Sequence, residues 1–158
     1  MALDFADLDR DGRDDLLVLD MFARTHEKRM TQLMKGYPDA VAAERAEEQP
    51  RYNRNTLFFG QADGSFVEAA YFAGVAATDW SWSAVFLDVD LDGYEDLLVS
   101  NGFSFDVMDQ DSHDQLRTRR LTLEQQRRIR GFHPAWPTEN VAFRNSRDGR
   151  FVAVSKEW

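Results

Sequence analysis

Two short segments carry aspartates at the spacing of a metal-binding loop. Aspartates occupy the first, third, fifth and ninth positions of residues 7–15, and they occupy the same positions of residues 88–96. A glycine at the sixth position of each segment permits a sharp turn. Calcium takes about six to eight oxygen ligands, which such a loop can supply. The first Asp loop (residues 7–15) and the second Asp loop (residues 88–96) are therefore each predicted to bind one Ca²⁺ ion.

The predicted ligands occupy the same five positions in both loops. Four are aspartate side chains, and the residue at the seventh position contributes only its backbone carbonyl. The side chain at that position is therefore free to differ between the loops. The ligands are Asp7, Asp9, Asp11, Arg13 and Asp15 in the first Asp loop, and Asp88, Asp90, Asp92, Tyr94 and Asp96 in the second.

Two other interpretations of these loops fit the sequence less well. An EF-hand begins with the same spacing, but it needs a glutamate at position 12 and a helix on each side. Val18 and Val99 stand at position 12, and the flanking segments have the composition of apolar strands. Magnesium prefers octahedral sites that keep several waters, so calcium is favoured over it.

Local charge favours a bound cation over an ordinary polar turn. The second Asp loop contains five acidic residues and no basic residue. The first also contains five acidic residues, but Arg10 and Arg13 offset part of their charge. Like charges this close together disfavour folding unless a cation compensates them. The sequence therefore predicts the stronger repulsion in the second loop.

The two loops belong to a tandem duplication of the chain. The segment Asp7–Val18 returns 81 residues later as Asp88–Val99. The segment Asn55–Phe66 returns 85 residues later as Asn140–Phe151. Two matches in the same order indicate two structural repeats.

Each repeat is predicted to form four short strands. One strand enters each Asp loop, one leaves it, and two flank an Asp-Gly turn. Beyond the strand at the start of the chain, the predicted strands are Asp15–Leu19, Asn55–Phe59, Ser65–Ala69, Trp82–Leu87, Asp96–Ser100, Val141–Asn145 and Arg150–Val154. This pattern predicts an all-β fold of two four-stranded β-propeller-type blades, a partial propeller with helical insertions. The blades are assigned to residues 1–70 and 71–158, with insertions at about 21–52 and 103–138.

The insertions have helical composition. Met21–Gln49 is rich in good helix formers and is interrupted at Gly36–Pro38. Thr122–Gln125 has the spacing of a capping box and is predicted to open a helix that ends at Gly131. These helices are expected to cover one face of a sheet.

Composition excludes several classes of function. The formal net charge is −9, which argues against nucleic-acid binding. The arginine-rich stretch 117–130 is interpreted as a solvated helix face. The absence of cysteine excludes disulfides and thiolate metal sites. No apolar run is long enough to span a membrane, and the start of the chain does not resemble a signal peptide. We expect the chain to be a fragment of a longer repeat array.

Catalysis is not predicted. The clustered aspartates already serve as metal ligands, and no nucleophile lies beside a base in a known motif. The histidines His26, His113 and His133 are scattered along the sequence and are interpreted as surface or loop residues. The aromatic residues around the second Asp loop are expected to pack in the core rather than to bind a glycan. They are Trp80, Trp82, Phe103 and Phe105.

The loop pattern D-x-D-x-D-G-x-x-D resembles the FG-GAP/VCBS repeat family, which includes the propellers of integrin α-chains. Asp79–Trp82, Asn101-Gly102 and Asn140–Phe151 followed by Ser155–Trp158 resemble a subgroup of bacterial surface proteins that often carry ASPIC/UnbV domains. The resemblance implies calcium ligation by the eight loop aspartates, further blades in a parent propeller and an extracytoplasmic location.

The expected function is non-enzymatic adhesion or ligand binding at the cell exterior, with an extracellular protein or a glycan as partner. The alternative is a domain, or an accessory domain, of an enzyme that acts on extracellular polysaccharide.

Overall fold

The computed structural model describes residues 2–31, 53–118, 122, 124 and 132–157. The chain divides into two compact units. The first comprises Met1–Arg24, Tyr52–Gly102 and Thr138–Trp158, and the second comprises Thr25–Arg51 and Phe103–Pro137. Both Asp loops lie in the first unit, and most of the two predicted insertions falls in the second. The predicted division of the chain at residue 70 stays a prediction.

The first unit contains two four-stranded antiparallel sheets, each with its strands in chain order. The first sheet consists of β1 (Leu3–Ala6), β2 (Asp15–Val18), β3 (Thr56–Gly60) and β4 (Phe66–Glu68). The second consists of β5 (Ser81–Leu87), β6 (Asp96–Asn101), β7 (Val141–Asn145) and β8 (Phe151–Ala153). The prediction of four strands per repeat is confirmed, and the described part of the chain is mostly β.

The duplication in sequence is also a duplication of strand register. Phe5 pairs with Leu16 across β1 and β2, and Leu16 pairs with Phe58 across β2 and β3. The equivalent residues of the second sheet are Phe86, Leu97 and Phe143, and they pair in the same way. Paired residues project to the same face of a sheet, so the same sequence positions share one face in both repeats.

One hydrophobic core joins the two sheets. It includes Leu17 and Leu57 from the first sheet and Leu97, Val99 and Phe143 from the second. Along β2 and β6 the core residues alternate with more exposed ones, as expected for a sheet with one covered face.

A short helix, α2 (Ala70–Ala73), connects the two repeats and was not predicted from the sequence. It places Ala70 and Ala73 in the core, where their small side chains permit close approach. Gly74 ends the helix at φ 79°, and a Cβ atom there would lie 3.2 Å from the Phe151 carbonyl oxygen. Only glycine satisfies both conditions without strain.

The second unit contains two further helices, α1 (His26–Thr31) and α3 (Gln110–Thr118). The Thr25 hydroxyl accepts from Lys28 N at 3.3 Å near the start of α1, and the Asp109 carboxylate accepts from Ser112 N at 2.8 Å at the start of α3. The helix α3 was missed by the sequence analysis, which expected the helix of this insertion at Thr122–Gly131. Most of that segment, and most of Met21–Gln49, lies outside the described residues.

None of the helices in the described ranges combines the length and the apolar character needed to cross a membrane.

Candidate metal centres

Each Asp loop connects the first two strands of its sheet through a strained turn. In the first loop Arg10 and Gly12 adopt φ values of 63° and 84°. Leu91 and Gly93, the equivalent residues of the second loop, adopt 60° and 89°. A non-glycine residue in this left-handed region is uncommon, and it recurs here at the same repeat position. The two loops therefore have the same backbone turn.

The first aspartate of each loop holds the turn closed. The Asp7 carboxylate accepts hydrogen bonds from Asp11 N and Gly12 N, each at 3.0 Å. Asp88 accepts the equivalent two bonds in the second loop, each at 2.9 Å. A carboxylate has about four lone-pair positions, so each of these groups keeps acceptor capacity for a metal ion.

The last aspartate of each loop is buried and ties the loop to the third strand of its sheet. Asp15 accepts from Leu8 N at 2.9 Å and from Gly60 N at 3.0 Å. Asp96 makes the two equivalent bonds, at 3.1 Å to its own loop and at 2.9 Å to the end of β7. Burial raises the pKa of Asp15, and the nearby carboxylate of Asp9 raises it further.

Three carboxylates converge in each loop. In each group one oxygen of every residue lies within 4.8 Å of the others. The groups are Asp7, Asp9 and Asp15 in the first loop and Asp88, Asp90 and Asp96 in the second. Oxygens bound to one calcium ion at about 2.4 Å can be at most about 4.8 Å apart. Each group, termed here an Asp triad, therefore fits a single ion.

The third aspartate of each loop lies outside its triad. Asp11 accepts from Arg13 N at 3.0 Å and forms an ion pair with the guanidinium of the same residue. Asp92 accepts from Tyr94 N at 2.9 Å, and its other oxygen lies 2.6 Å from Arg147 Nη2. This contact with Arg147 lowers the pKa of Asp92. Arginines thus engage both of the predicted side-chain ligands that lie outside the triads.

Comparison with known families finds one match, which includes the second Asp loop. The family model of the FG-GAP-like repeat matches residues 35–99, a segment that contains the whole second Asp loop. This part of the chain is similar to the FG-GAP-like repeat. No curated protein and no solved structure matches the chain. The first Asp loop lies outside the matched segment and is related to it by the internal duplication.

Arginines distant in sequence surround the second Asp loop. Arg147 contacts Asp92, as described above, and Arg144 Nε lies 3.2 Å from Asp90 Oδ2. Arg10 of the first loop lies 3.2 Å from the Glu95 carboxylate. The second Asp loop contains no basic residue of its own, but these three arginines offset part of its charge. Counting charges within a short window misses side chains that the fold supplies from β7, from the β7–β8 turn and from the other loop.

Asn145 links the two loops and was not singled out from the sequence. It is buried at the end of β7, and its Nδ2 donates to Leu8 O at 2.9 Å and to Glu95 O at 3.2 Å. An asparagine before a turn is common, so nothing in the sequence distinguished this one. Its two carbonyl partners belong to different repeats.

The tryptophans that precede the second Asp loop divide into a buried and an exposed member. Trp80 is buried, as predicted, with its ring centroid 6.3 Å from that of Trp82. Trp82 is half-exposed, and its Nε1 donates to Gly102 O at 2.6 Å. The prediction of core packing thus holds for Trp80 but not for Trp82.

Two of the histidines are brought together in the second unit. His113 and His133 lie 20 residues apart in sequence, and their ring centroids are 5.5 Å apart. His133 lies in a loop but is buried there, and burial together with His113 lowers its pKa. In the part of the chain that the structure describes, this pair belongs to no cluster of three metal-binding groups.

Proposed function

We propose that the chain is a non-enzymatic, calcium-binding module built from two β-propeller-type blades, with one Ca²⁺ ion in each Asp loop. The observation that carries this proposal is the pair of Asp triads, which share both their sequence spacing and their hydrogen-bond pattern. Chance clustering of surface acids would not reproduce the same buried and exposed members in both repeats. The match to the FG-GAP-like repeat supports the same conclusion.

The chain supplies most of the ligands that calcium needs. Each Asp triad provides three carboxylates, and the third aspartate of each loop adds a fourth when it exchanges its arginine for the ion. The backbone carbonyls of Arg13 and Tyr94 complete the predicted protein ligands. A bound Ca²⁺ ion supplies positive charge that offsets the repulsion among these carboxylates.

Calcium titration calorimetry tests the two sites directly. We expect saturation near two ions per chain, and near one ion for Asp7→Asn and for Asp88→Asn. Asp63→Asn is the matched control, because Asp63 is exposed in the β3–β4 turn and accepts from Ser65 outside both triads. Folded protein that binds no calcium at millimolar concentration would overturn the proposal.

Binding of a partner at the cell exterior is supported by an open groove in the first unit. Its volume is about 760 Å³, within the range of ligand sites. Apolar side chains line it together with a few charged ones. The lining includes Phe59, Val67, Tyr71, Phe72, Asp9 and Arg147. We propose that an extracellular protein or glycan binds there.

A binding screen against extracellular proteins and glycans tests this part of the proposal. Tyr71→Ala should weaken binding of the partner and leave calcium binding unchanged, because Tyr71 lines the groove but belongs to neither triad. Release of new reducing ends from a bound polysaccharide would favour the enzymatic alternative instead.

A further inference from the structure

Apolar and charged side chains line the groove proposed above as the binding site of the partner. β3, β4 and α2 contribute apolar side chains, among them Phe59, Val67 and Phe72. The β7–β8 turn (residues 146–150) contributes Arg147, the one basic residue among the described residues of the lining. A ligand can therefore meet an apolar surface and a guanidinium in the same groove.

The acidic residues of the lining are compensated by neighbouring groups. Both carboxylate oxygens of Glu68 accept from the Arg54 guanidinium, at 2.8 and 2.7 Å. Asp148 is the only acid of the β7–β8 turn, which also contains two arginines and therefore carries net positive charge. Asp9 belongs to the first Asp triad, where the proposed calcium ion offsets its charge. A cation would have to compete with these partners, so the lining favours an anionic ligand.

The fold of the β7–β8 turn does not require its arginines. The duplication relates this turn to the β3–β4 turn, in which Ala62 stands at the position of Arg147. Ser65 stands at the position of Arg150, and both turns keep an Asp-Gly pair at the same positions. The hairpin therefore forms with or without arginine at these positions, and the positive charge belongs to the second repeat alone.

Arg147 is shared between the groove and the second Asp loop. Its Nη2 lies 2.6 Å from Asp92 Oδ2, and its guanidinium carbon lies 5.5 Å from the centroid of the Tyr94 ring. A guanidinium has five N–H donors, and Asp92 accepts from only two of its nitrogens. The Arg147 side chain is 55% exposed. The same guanidinium can therefore also bind a carboxylate that enters the groove.

We infer that the groove binds an acidic peptide segment of the partner. An apolar side chain of that segment packs against Phe59 and Val67, and a neighbouring carboxylate accepts hydrogen bonds from Arg147. This inference rests on the proposed function, because it identifies the chemistry of the partner that the groove binds.

The lining favours a peptide over a glycan. Sugars present hydroxyls over most of their surface, and each hydroxyl that is buried without a partner costs free energy. The Gln61 amide already donates to Phe59 O and Gly60 O, each at 3.3 Å. The side chains of Phe59, Val67 and Phe72 have no polar atom with which a sugar could bond. An apolar peptide side chain meets no such cost there.

Calcium in the second Asp loop and the peptide in the groove should favour each other. Asp92 leaves Arg147 when it binds the ion, and Arg147 is then available to the peptide. Conversely, Arg147 leaves Asp92 when it binds a peptide carboxylate, and Asp92 is then available to the ion. The coupling through this exposed ion pair is about two- to fivefold in affinity. Reciprocity requires the same factor in both directions.

Matched peptides test the charge that the ligand must carry. Short fluorescent peptides that place Asp beside Phe or Leu are compared with the same peptides carrying Asn in place of Asp. Fluorescence polarisation with the full chain in millimolar calcium measures both affinities. The best Asp peptide should bind about tenfold more tightly than its Asn counterpart, because a guanidinium binds a carboxylate more strongly than an amide. Equal affinities for both sets, or no binding by either, would overturn the inference.

Arg147→Gln should abolish this preference. The variant should bind the Asp and Asn peptides equally, and the peptide should no longer change the calcium affinity of the second loop in two-site calorimetry. Lys156→Gln is the matched control, because it removes one positive charge from an exposed residue outside the lining. A preference for Asp that persists in Arg147→Gln would contradict the role assigned to this arginine and overturn the inference.

Calcium stoichiometry distinguishes failure of this inference from failure of the proposed function. Two ions per chain together with equal binding of the Asp and Asn peptides would overturn the inference alone. Folded chain that binds no calcium would overturn the proposed function and the coupling, whereas the preference for Asp peptides tests the groove in either case. Oligogalacturonate that binds more tightly than the best peptide, and loses affinity in Arg147→Gln, would assign the groove to an acidic glycan instead.

Discussion

Asp92 has two potential partners, the guanidinium of Arg147 and a metal ion. The Arg147 guanidinium contacts Asp92 through both Nε and Nη2, at 3.1 and 2.6 Å from the same carboxylate oxygen. An ion that recruits Asp92 must displace this contact or share the carboxylate with it. The arginine therefore competes with calcium, while it also relieves repulsion in the metal-free loop.

Removal of the competing arginine should strengthen calcium binding at the second loop. We expect Arg147→Gln to raise the affinity of that site roughly two- to fivefold, the range of an exposed ion pair. Two-site calorimetry measures the change. Arg150→Gln is the control, because Arg150 lies over the Phe72 ring and not on a loop aspartate. An unchanged or lower affinity in Arg147→Gln would show that Arg147 supports the site instead of competing with it.

At the scale of secondary-structure elements, Asp15 and Asp96 connect each loop to its sheet independently of any ion. Each accepts one hydrogen bond from its own loop and one from the end of the third strand of its sheet. Both residues are nearly inaccessible to solvent, at 0% and 1% exposure. These carboxylates are therefore part of the folded framework as well as members of the triads.

Loss of a buried carboxylate should destabilise the fold even in chelator. Asp15→Ala leaves the Leu8 and Gly60 N–H groups without this acceptor, at a cost of about 1–3 kcal/mol for each buried group. Asp9→Ala is the comparison, because Asp9 is exposed and accepts one bond, from Asp11 N at 3.2 Å. In urea unfolding with chelator present, Asp15→Ala should have a lower free energy of unfolding than Asp9→Ala. Equal stabilities without calcium would mean that Asp15 acts through the ion alone.

The histidine pair gives the second unit a dependence on pH. Folding lowers the pKa of His133 through burial and through His113, while Asp109 and Asp106 act in the opposite direction. As the pH falls, His133 is therefore protonated in the unfolded chain first, at about pH 6.5. The stability that depends on neutral His133 should be fully present above that pH. It should decline as the pH falls towards the pKa of His133 in the folded chain, and no more should be lost below that pKa.

Substitution of the buried histidine should remove this decline. In His133→Phe the amide exchange of α3 should change less between neutral and acidic pH than in the natural chain, after correction for intrinsic exchange. His26→Gln tests whether an exposed histidine has the same effect, and we expect it to leave the decline intact. A decline that persists in His133→Phe would assign the effect to other groups.

At the scale of the whole molecule, calcium should raise the stability of the fold by mass action. The formal net charge is −9, and two divalent ions offset four of these charges. Each site contributes about 2.7 kcal/mol when free calcium exceeds the dissociation constant a hundredfold. Chelator should lower the melting temperature clearly, and magnesium should restore little of it. Identical melting curves with calcium and with chelator would show that the loops are ordinary turns.

The sequence predicted the parts of this molecule that repeat. The aspartate spacing located both triads, and the apolar segments beside the loops together with the Asp-Gly turns located the strands, because these patterns are local. The helix α3 was missed because its capping residue, Asp109, lies in a polar stretch without a clear apolar period. Arg147, Asn145 and the contact between His113 and His133 were missed because they depend on side chains brought together from distant segments.

Asn145 and Arg10 couple calcium binding at the two sites. Asn145 donates to a carbonyl in each loop, and Arg10 of the first loop contacts Glu95 of the second. An ion that orders one loop therefore restrains groups that the other loop also holds. We expect positive cooperativity between the sites, and reciprocity requires each ion to favour the other by the same factor. Asp7→Asn should then weaken binding at the second site, to which Asp7 contributes no ligand, and calcium should fill the natural chain in one steep step.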